Sequence, residues 1–462
     1  MSKTNPLFDA FEPVSAKQWK QKIQFDLKGA DYNETLVWHS NEGIAVKPFY
    51  HADDQKTSGS APKANPSNWK IGQTIYVADT EKSNSHAIDA IARGAESMQF
   101  IIPNSEVSVK NLLQNIDLDR VPIYFDLLFI DIDFIKSLYA LKGEAGIFIN
   151  NDIIGHLAST GNFYKDLKTD FSDFLTTVKI TNSITVNTSM YQNAGANMVQ
   201  QLAYALAQVN EYLNQIEKAQ EKAMDFEFLE TLQVVFKVSV GSNYFFEIGK
   251  LRALRLLWQS LSEAYHIKAN CKITAVPTKR NKTIYDYNTN MLRTTTESMS
   301  AVLGGADVVT NLPYDAIYHK TNEFGERIAR NQLLILKNES YFDKVNNPAD
   351  GTYYIESLTE QLAEKALALF KDIEAHGGFL SQLKNGIIQK KIKESAVKEQ
   401  EQFNKGEVVI LGTNKHPNPN DKMKDDLELY PFIKTKPHKT LIEPIIGKRL
   451  SEQLEQDRLK NE

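Results

Sequence analysis

"SITVNTSMYQNAGANMVQQ", residues 183–201, is the stretch whose reading decides the fold. An apolar, β-branched run ends in Asn-Thr-Ser-Met-Tyr-Gln-Asn-Ala-Gly and passes straight into a long Ala/Leu/Gln helix pattern. Such a junction marks the carboxyl end of a parallel strand, where α/β enzymes carry their reactive groups. Yet the stretch holds no His, Cys, Asp, Glu, Lys or Arg. It has the form of an active-site rim without the chemistry.

The same alternation runs outward in both directions. Short β-branched or aromatic runs lie at 70–78, 97–103, 121–127, 146–150, 183–188, 234–240, 271–276 and 307–311. Amphipathic helical patterns separate them, among them 85–95, 197–219, 245–265 and 291–305. Short apolar strands each followed by a helix predict parallel βα units. Eight units over roughly 250 residues are what a closed (β/α)8 barrel requires. An open doubly wound sheet ranks second, because no dinucleotide-type Gly-rich first turn appears.

These patterns divide the chain into an N-terminal arm (1–68), a (β/α)8 barrel (69–346), a helical extension packed on the barrel (347–403) and a charged, Pro-containing tail (404–462). Within the arm, 53–68 is rich in Ser, Pro and Asn and reads as a loop or extended segment, whereas 25–50 is rich in Trp, Tyr, Phe and Leu. Gly377 and Gly378 form a plausible helix stop.

Composition excludes several function classes. The 462 residues are 42% hydrophobic and 24% charged, an ordinary globular balance. A net charge of -5 offers no basic surface for nucleic acid or anionic membrane. Cys271 is the only cysteine, so no internal disulfide and no Cys-built zinc site can form. The N-terminus lacks an apolar leader pattern, and the most apolar run carries Asp126, Asp131 and Asp133. A cytoplasmic protein without a membrane span is expected.

Candidate reactive groups are sparse. The three acids after the third strand run read as helix-start residues, favoured there by the helix dipole, ahead of an acid/base pair. His86, His156 and His319 each stand alone, with no metal-ligand spacing among them. The run "KVSVGSN" (237–243) lacks the Gly-x-Ser-x-Gly form of a serine elbow. Gly304 and Gly305 precede a strand, so they stop a helix and do not cradle a phosphate.

Longer stretches are far more specific. "YDYNTNMLRTTTESMSAVLGGADVVTNLPYDA", the following "RIARNQLLILKNESYFDKVNNPADGTYYIESLTEQLAEKALALFKDIEAHGG", "YFFEIGKLRALRLLW" (244–258), "YQNAGANMVQQLAYALAQVNEYL" (191–213) and "FDLKGADYNETLVWHSNEGIAVKPFY" (25–50) resemble the methylmalonyl-CoA mutase family of adenosylcobalamin-dependent acyl-CoA mutases. The likeness covers most of residues 15–400.

The resemblance implies a (β/α)8 barrel that acyl-CoA enters along its axis, normally capped by a C-terminal cobalamin domain. No cobalamin-binding domain is expected before Glu462. The nearest match to the family's Asp-x-His-x-x-Gly ligand motif, "EAHGGF" (374–379), departs from it at two positions and lies in the helical region. Catalytic members carry a Tyr-His pair just before the Gln-x-Ala-Gly-Ala run, and its His hydrogen-bonds the thioester carbonyl. Here those positions are Ser189 and Met190, and a thioether cannot donate that bond. The family's adenosyl-contacting Gln after strand 7 is lost in "AVPTK" (275–279). After strand 8, Asn311 is retained, and Asp315 replaces a cofactor-contacting Glu. The pattern implies no catalytic residues, a degenerate pair at Ser189 and Met190, vestigial cofactor positions at Asn311 and Asp315, and no metal.

Heterodimeric bacterial members pair a catalytic large chain, which binds adenosylcobalamin, with a homologous small chain that does not. This sequence is similar to the small chain, so a catalytic large partner is implied, and the arm is the best candidate to wrap it. Two alternatives stand beside this. One is a catalytic barrel chain of the isobutyryl-CoA type, whose cobalamin domain sits on a separate chain. The other is a barrel that binds acyl-CoA without reacting it.

Overall fold

A computed structural model describes residues 11–54, 66–221, 229–434 and 438–462. Eight parallel strands build the centre: β1 (Lys70–Tyr76), β2 (Ser97–Ile102), β3 (Ile123–Leu127), β4 (Ile147–Asn150), β5 (Ser183–Asn187), β6 (Gln233–Val240), β7 (Lys272–Pro277) and β8 (Val308–Thr310). They pair in the order β4-β3-β2-β1-β8-β7-β6-β5. The expected (β/α)8 barrel is thus present, closed except for a seam between β4 and β5.

Side chains bridge that seam. The Thr185 hydroxyl donates to the Ile149 carbonyl at 3.3 Å, and the Asn187 N–H donates to the Asp152 carboxylate at 2.7 Å. Asp152 is 6% exposed and also accepts from the Tyr212 hydroxyl and the Gln208 amide, each at 2.6 Å, while it caps the helix Ile153–Thr160 through the Gly155 N–H. A buried carboxylate surrounded by donors is satisfied without a cation.

Strand alternation sorts residues into two layers. Ile71, Met98, Phe100, Ile123, Phe125 and Ile149 face outward and are buried beneath helices. Gly72, Gln99, Tyr124, Asp126, Phe148, Lys237 and Thr310 face the axis. Gly72 is required there, because a Cβ would lie 2.1 Å from the Thr310 hydroxyl.

The helix Tyr244–Ala264 is buried on nearly all sides, sandwiched between layers. It packs on the barrel, on Met198–Glu221 and on Tyr353–Ala375. Its buried charges are all paired: Lys250 with Glu247 at 2.5 Å, Arg252 with Glu356 at 2.7 Å and Arg255 with Asp307 at 2.8 Å.

The arm begins with a helix the sequence patterns do not mark, Ala16–Asp26, started by a capping box between Ser15 and Gln18, with none of its side chains fully buried. Trp38 then packs edge-on against Phe246, and Tyr50 against Tyr354. Residues 1–10 and 55–65 of the arm lie outside the described residues. The helical extension expected at 347–403 is three helices, Tyr353–Ala375, Phe379–Lys384 and Ile387–Asn404, the last two separated at Gly386 with φ +74°.

The segment after residue 404 lies across the carboxyl face of the barrel. The Leu441 and Ile442 N–H groups donate to Gly161, Ile445 to Ala158, Lys448 to Asn193, Leu450 to Arg280 and Leu429 to Tyr318. The helix Glu452–Lys460 locks it down: Glu455 accepts from the Ile284 N–H at 3.0 Å, and the Arg458 guanidinium sits 3.9 Å from the Tyr285 ring centre. Among the described residues, no helix is long and apolar enough to cross a membrane.

Candidate functional site

A (β/α)8 barrel presents its site at the carboxyl ends of its strands and on its axis. The junction after β5 is the short helix Ser189–Asn193. Ser189 is 9% exposed and its hydroxyl has no partner among the described residues, while Met190 is half-buried against the main core. Gly195 completes the turn at φ +99°, and a Cβ there would lie 2.6 Å from the Cβ of Ala396. The turn is therefore shaped to receive the helix Ile387–Asn404.

The next residues along are committed to structure. The Gln192 amide donates to Glu247 at 3.0 Å and accepts from the Lys250 ammonium at 3.1 Å. That ammonium also reaches the Gln201 amide oxygen and the Ser239 carbonyl, at 3.0 and 2.8 Å. Burial pushes the Lys250 ammonium below the usual lysine range, against the pull of Glu247. A second buried pair, Lys282 with Glu297 at 2.8 Å, lies after β7. Burial lowers the lysine and raises the acid, each opposed by its partner. Such pairs fix loops, because removing one member strands a buried charge.

The β8 positions lie apart from the β5 pair, with β6 and β7 between them. Asn311 donates to the Ala329 carbonyl and Gln332 side chain and accepts from the Leu312 N–H. Asp315 is 2% exposed, accepts from Asn322 at 2.7 Å and lies 3.3 Å from His319. Asn311 turns into the helix Glu323–Asn338 and Asp315 into the loop that leads to it, so neither offers a free group toward a cofactor on the carboxyl face. Thr278, in the stretch "AVPTK", donates to Asn193 at 2.9 Å.

The single histidines are structural. His156 stacks on Tyr164 at 3.6 Å, and burial pushes it down to about 4, leaving the ring neutral. His86 pairs with Glu326 at 2.6 Å. Among the described residues no group of three His, Cys, Asp or Glu side chains is placed to hold a metal.

The axis is filled. Tyr124 and Phe148 stack at 4.8 Å, and the Lys272 ammonium sits 4.4 Å from the Phe148 ring centre. Above them the Asp126 carboxylate takes Lys237 at 2.5 Å, the Gln99 amide at 2.6 Å and the Asn150 amide at 2.9 Å. The remaining axial cavity is about 20 Å³, room for about one water molecule. Asp131 does cap a helix, accepting from the Asp133 and Phe134 N–H groups, but Asp126 does not. The signal for its true place was in the sequence: Asp126 and Lys237 are single charges inside strand runs of otherwise apolar residues.

A family model for methylmalonyl-CoA mutase matches residues 104–449. The chain belongs to the methylmalonyl-CoA mutase family. It is 34% identical over 454 residues to the methylmalonyl-CoA mutase small subunit of Porphyromonas gingivalis, covering 92% of this chain and 73% of that one. The small subunit of Streptomyces virginiae is 28% identical, with 88% and 71% covered. The large subunit from the same organism is 26% identical, with 90% of this chain but 64% of that one covered. Within the family, then, this chain matches small and large subunits alike over most of its length.

Proposed function

We propose that this chain is the small, non-catalytic subunit of a methylmalonyl-CoA mutase, supporting a homologous large subunit that interconverts methylmalonyl-CoA and succinyl-CoA. The observation that carries this is the filled axis. A thioester arm entering along it would have to displace the Tyr124–Phe148 stack and break the Asp126–Lys237 pair, which line a remaining space of about 20 Å³. Similarity to two small subunits supports the same reading.

Adenosylcobalamin belongs to the partner in this proposal. Asn311 spends its amide on the helix Glu323–Asn338 and Asp315 its carboxylate on the loop before that helix, and the segment after residue 404 lies over the carboxyl face, so these residues do not fit a cobalamin contact. No step of the rearrangement runs through this chain. Its work is burial and support: obligate subunit interfaces cover a few thousand Å², and the helix Ala16–Asp26 leaves Trp19 and Phe25 exposed, at 51% and 79%. A cytoplasmic location goes with this reading. The test is titration of the purified chain with methylmalonyl-CoA. No saturable binding is expected; tight binding would contradict the proposal.

A further inference from the structure

The helices Thr80–Ala92 and Glu323–Asn338 lie side by side on the outside of the barrel and leave a cleft of about 460 Å³ between them. Arg330 lines it and is 6% exposed. Its Nη1 donates to the Gln73 amide oxygen at 3.2 Å, while its Nε has no partner among the described residues. No carboxylate among those residues forms an ion pair with it.

A guanidinium taken out of water without a counter-ion is costly. Glu326 and Asp89 favour its charge through space, but neither reaches ion-pair distance. Glu326 is held by His86 at 2.6 Å, and Asp89 by Arg93 at 2.8 Å. Glu323 is exposed at the rim. Arg327 stands exposed at the same rim, its guanidinium 5.6 Å from the Phe324 ring centre. With His86 protonated, Arg93, Arg327, Arg330 and His86 against Asp89, Glu323 and Glu326 (four cations, three anions) leave one net positive charge in the cleft. The Glu326 partner raises His86, which favours that protonated state.

We infer that this cleft binds a small oxyanion, a phosphate or carboxylate group, with Arg330 as its buried anchor and Arg327 closing on it from the rim. Guanidinium forks match both groups in geometry, and charge-assisted bonds to them are the strong kind. The missing counter-ion is then supplied from solution. This site does not rest on the mutase reading: it lies outside the barrel and asks nothing of the partner.

The experiment uses the full chain at constant ionic strength, replacing sodium chloride with sodium phosphate in one arm and sodium succinate in the other. Binding is read by calorimetry and by the NMR shifts of the His86 ring. Saturable binding with Kd on the order of 1 mM or tighter is expected for at least one anion. The arm that saturates at lower concentration identifies the source, and equal affinities identify the shared oxyanion chemistry. Arg327→Ala should weaken binding by on the order of tenfold, and Arg330→Gln should abolish it. Should Arg330→Gln fail to fold, the Arg327→Ala comparison and the wild-type His86 shifts carry the test. No saturation beyond the chloride control, or an unchanged Kd in Arg327→Ala, overturns the proposal and leaves Arg330 as a tie to Gln73 alone.

Discussion

Replacing Lys237 by methionine asks whether the barrel axis is filled or wet. Lys237 and Asp126 retain 20% and 14% side-chain exposure and meet at 2.5 Å. A solvent-exposed pair contributes about 0–1 kcal/mol, whereas removing one member of a buried pair costs about 3–5 kcal/mol. In Lys237→Met, Asp126 keeps its bonds from Gln99 and Asn150, and the residual exposure screens part of its charge. The cost expected from this geometry is therefore about 2–3 kcal/mol, below the fully buried limit. The double variant Lys237→Met with Asp126→Asn removes the stranded charge and should recover most of that loss. The cycle should then give a coupling of about 2 kcal/mol. Urea unfolding followed by circular dichroism measures both, with an unchanged slope against denaturant confirming that only stability moved. A loss under about 0.5 kcal/mol in Lys237→Met would mean that the pair is solvated and the axis open to water, and the argument from a filled lumen would fail.

Burial pushes the Cys271 thiol up to about 12, so the native chain should not react with a thiol reagent at neutral pH, while the urea-unfolded chain reacts at once; prompt native reactivity would contradict this packing. Gly195→Ala forces a side chain into φ +99° and against Ala396, and should cost about 3 kcal/mol in urea unfolding. A neutral result would show that the helix Ile387–Asn404 is not seated on that turn. Met190→His should leave the isolated chain without turnover of methylmalonyl-CoA in the presence of adenosylcobalamin, measured by succinyl-CoA formation; any turnover would make the missing histidine the only barrier.

The barrel was legible because each strand run is apolar, short and followed by a helical period, and the observed strands fall within a residue or two of those runs. The helix Ala16–Asp26 was harder to read: Ala16, Trp19 and Ile23 recur at helical spacing, but charged and amide residues outnumber them, none is fully buried, and Trp19 meets its own chain edge-on at Phe49. Asp126 was misplaced for a related reason. Sequence position puts it beside two helix-start acids, but strand alternation, read residue by residue, turns it toward the axis and Lys237. At the site, that Met190 carries no hydrogen-bond donor could be read directly from the sequence. That Asn311 turns into the following helix and Asp315 into the loop before it could not, because it depends on Ala329, Gln332 and Asn322, more than six residues away in sequence.

Co-expression of this chain with a methylmalonyl-CoA mutase large subunit tests the central claim most directly. Mutase activity with adenosylcobalamin would be measured for the large subunit alone, for this chain alone and for the purified pair. The account predicts activity in the pair, less or none in the large subunit alone, and none in this chain. Turnover by this chain by itself would contradict it.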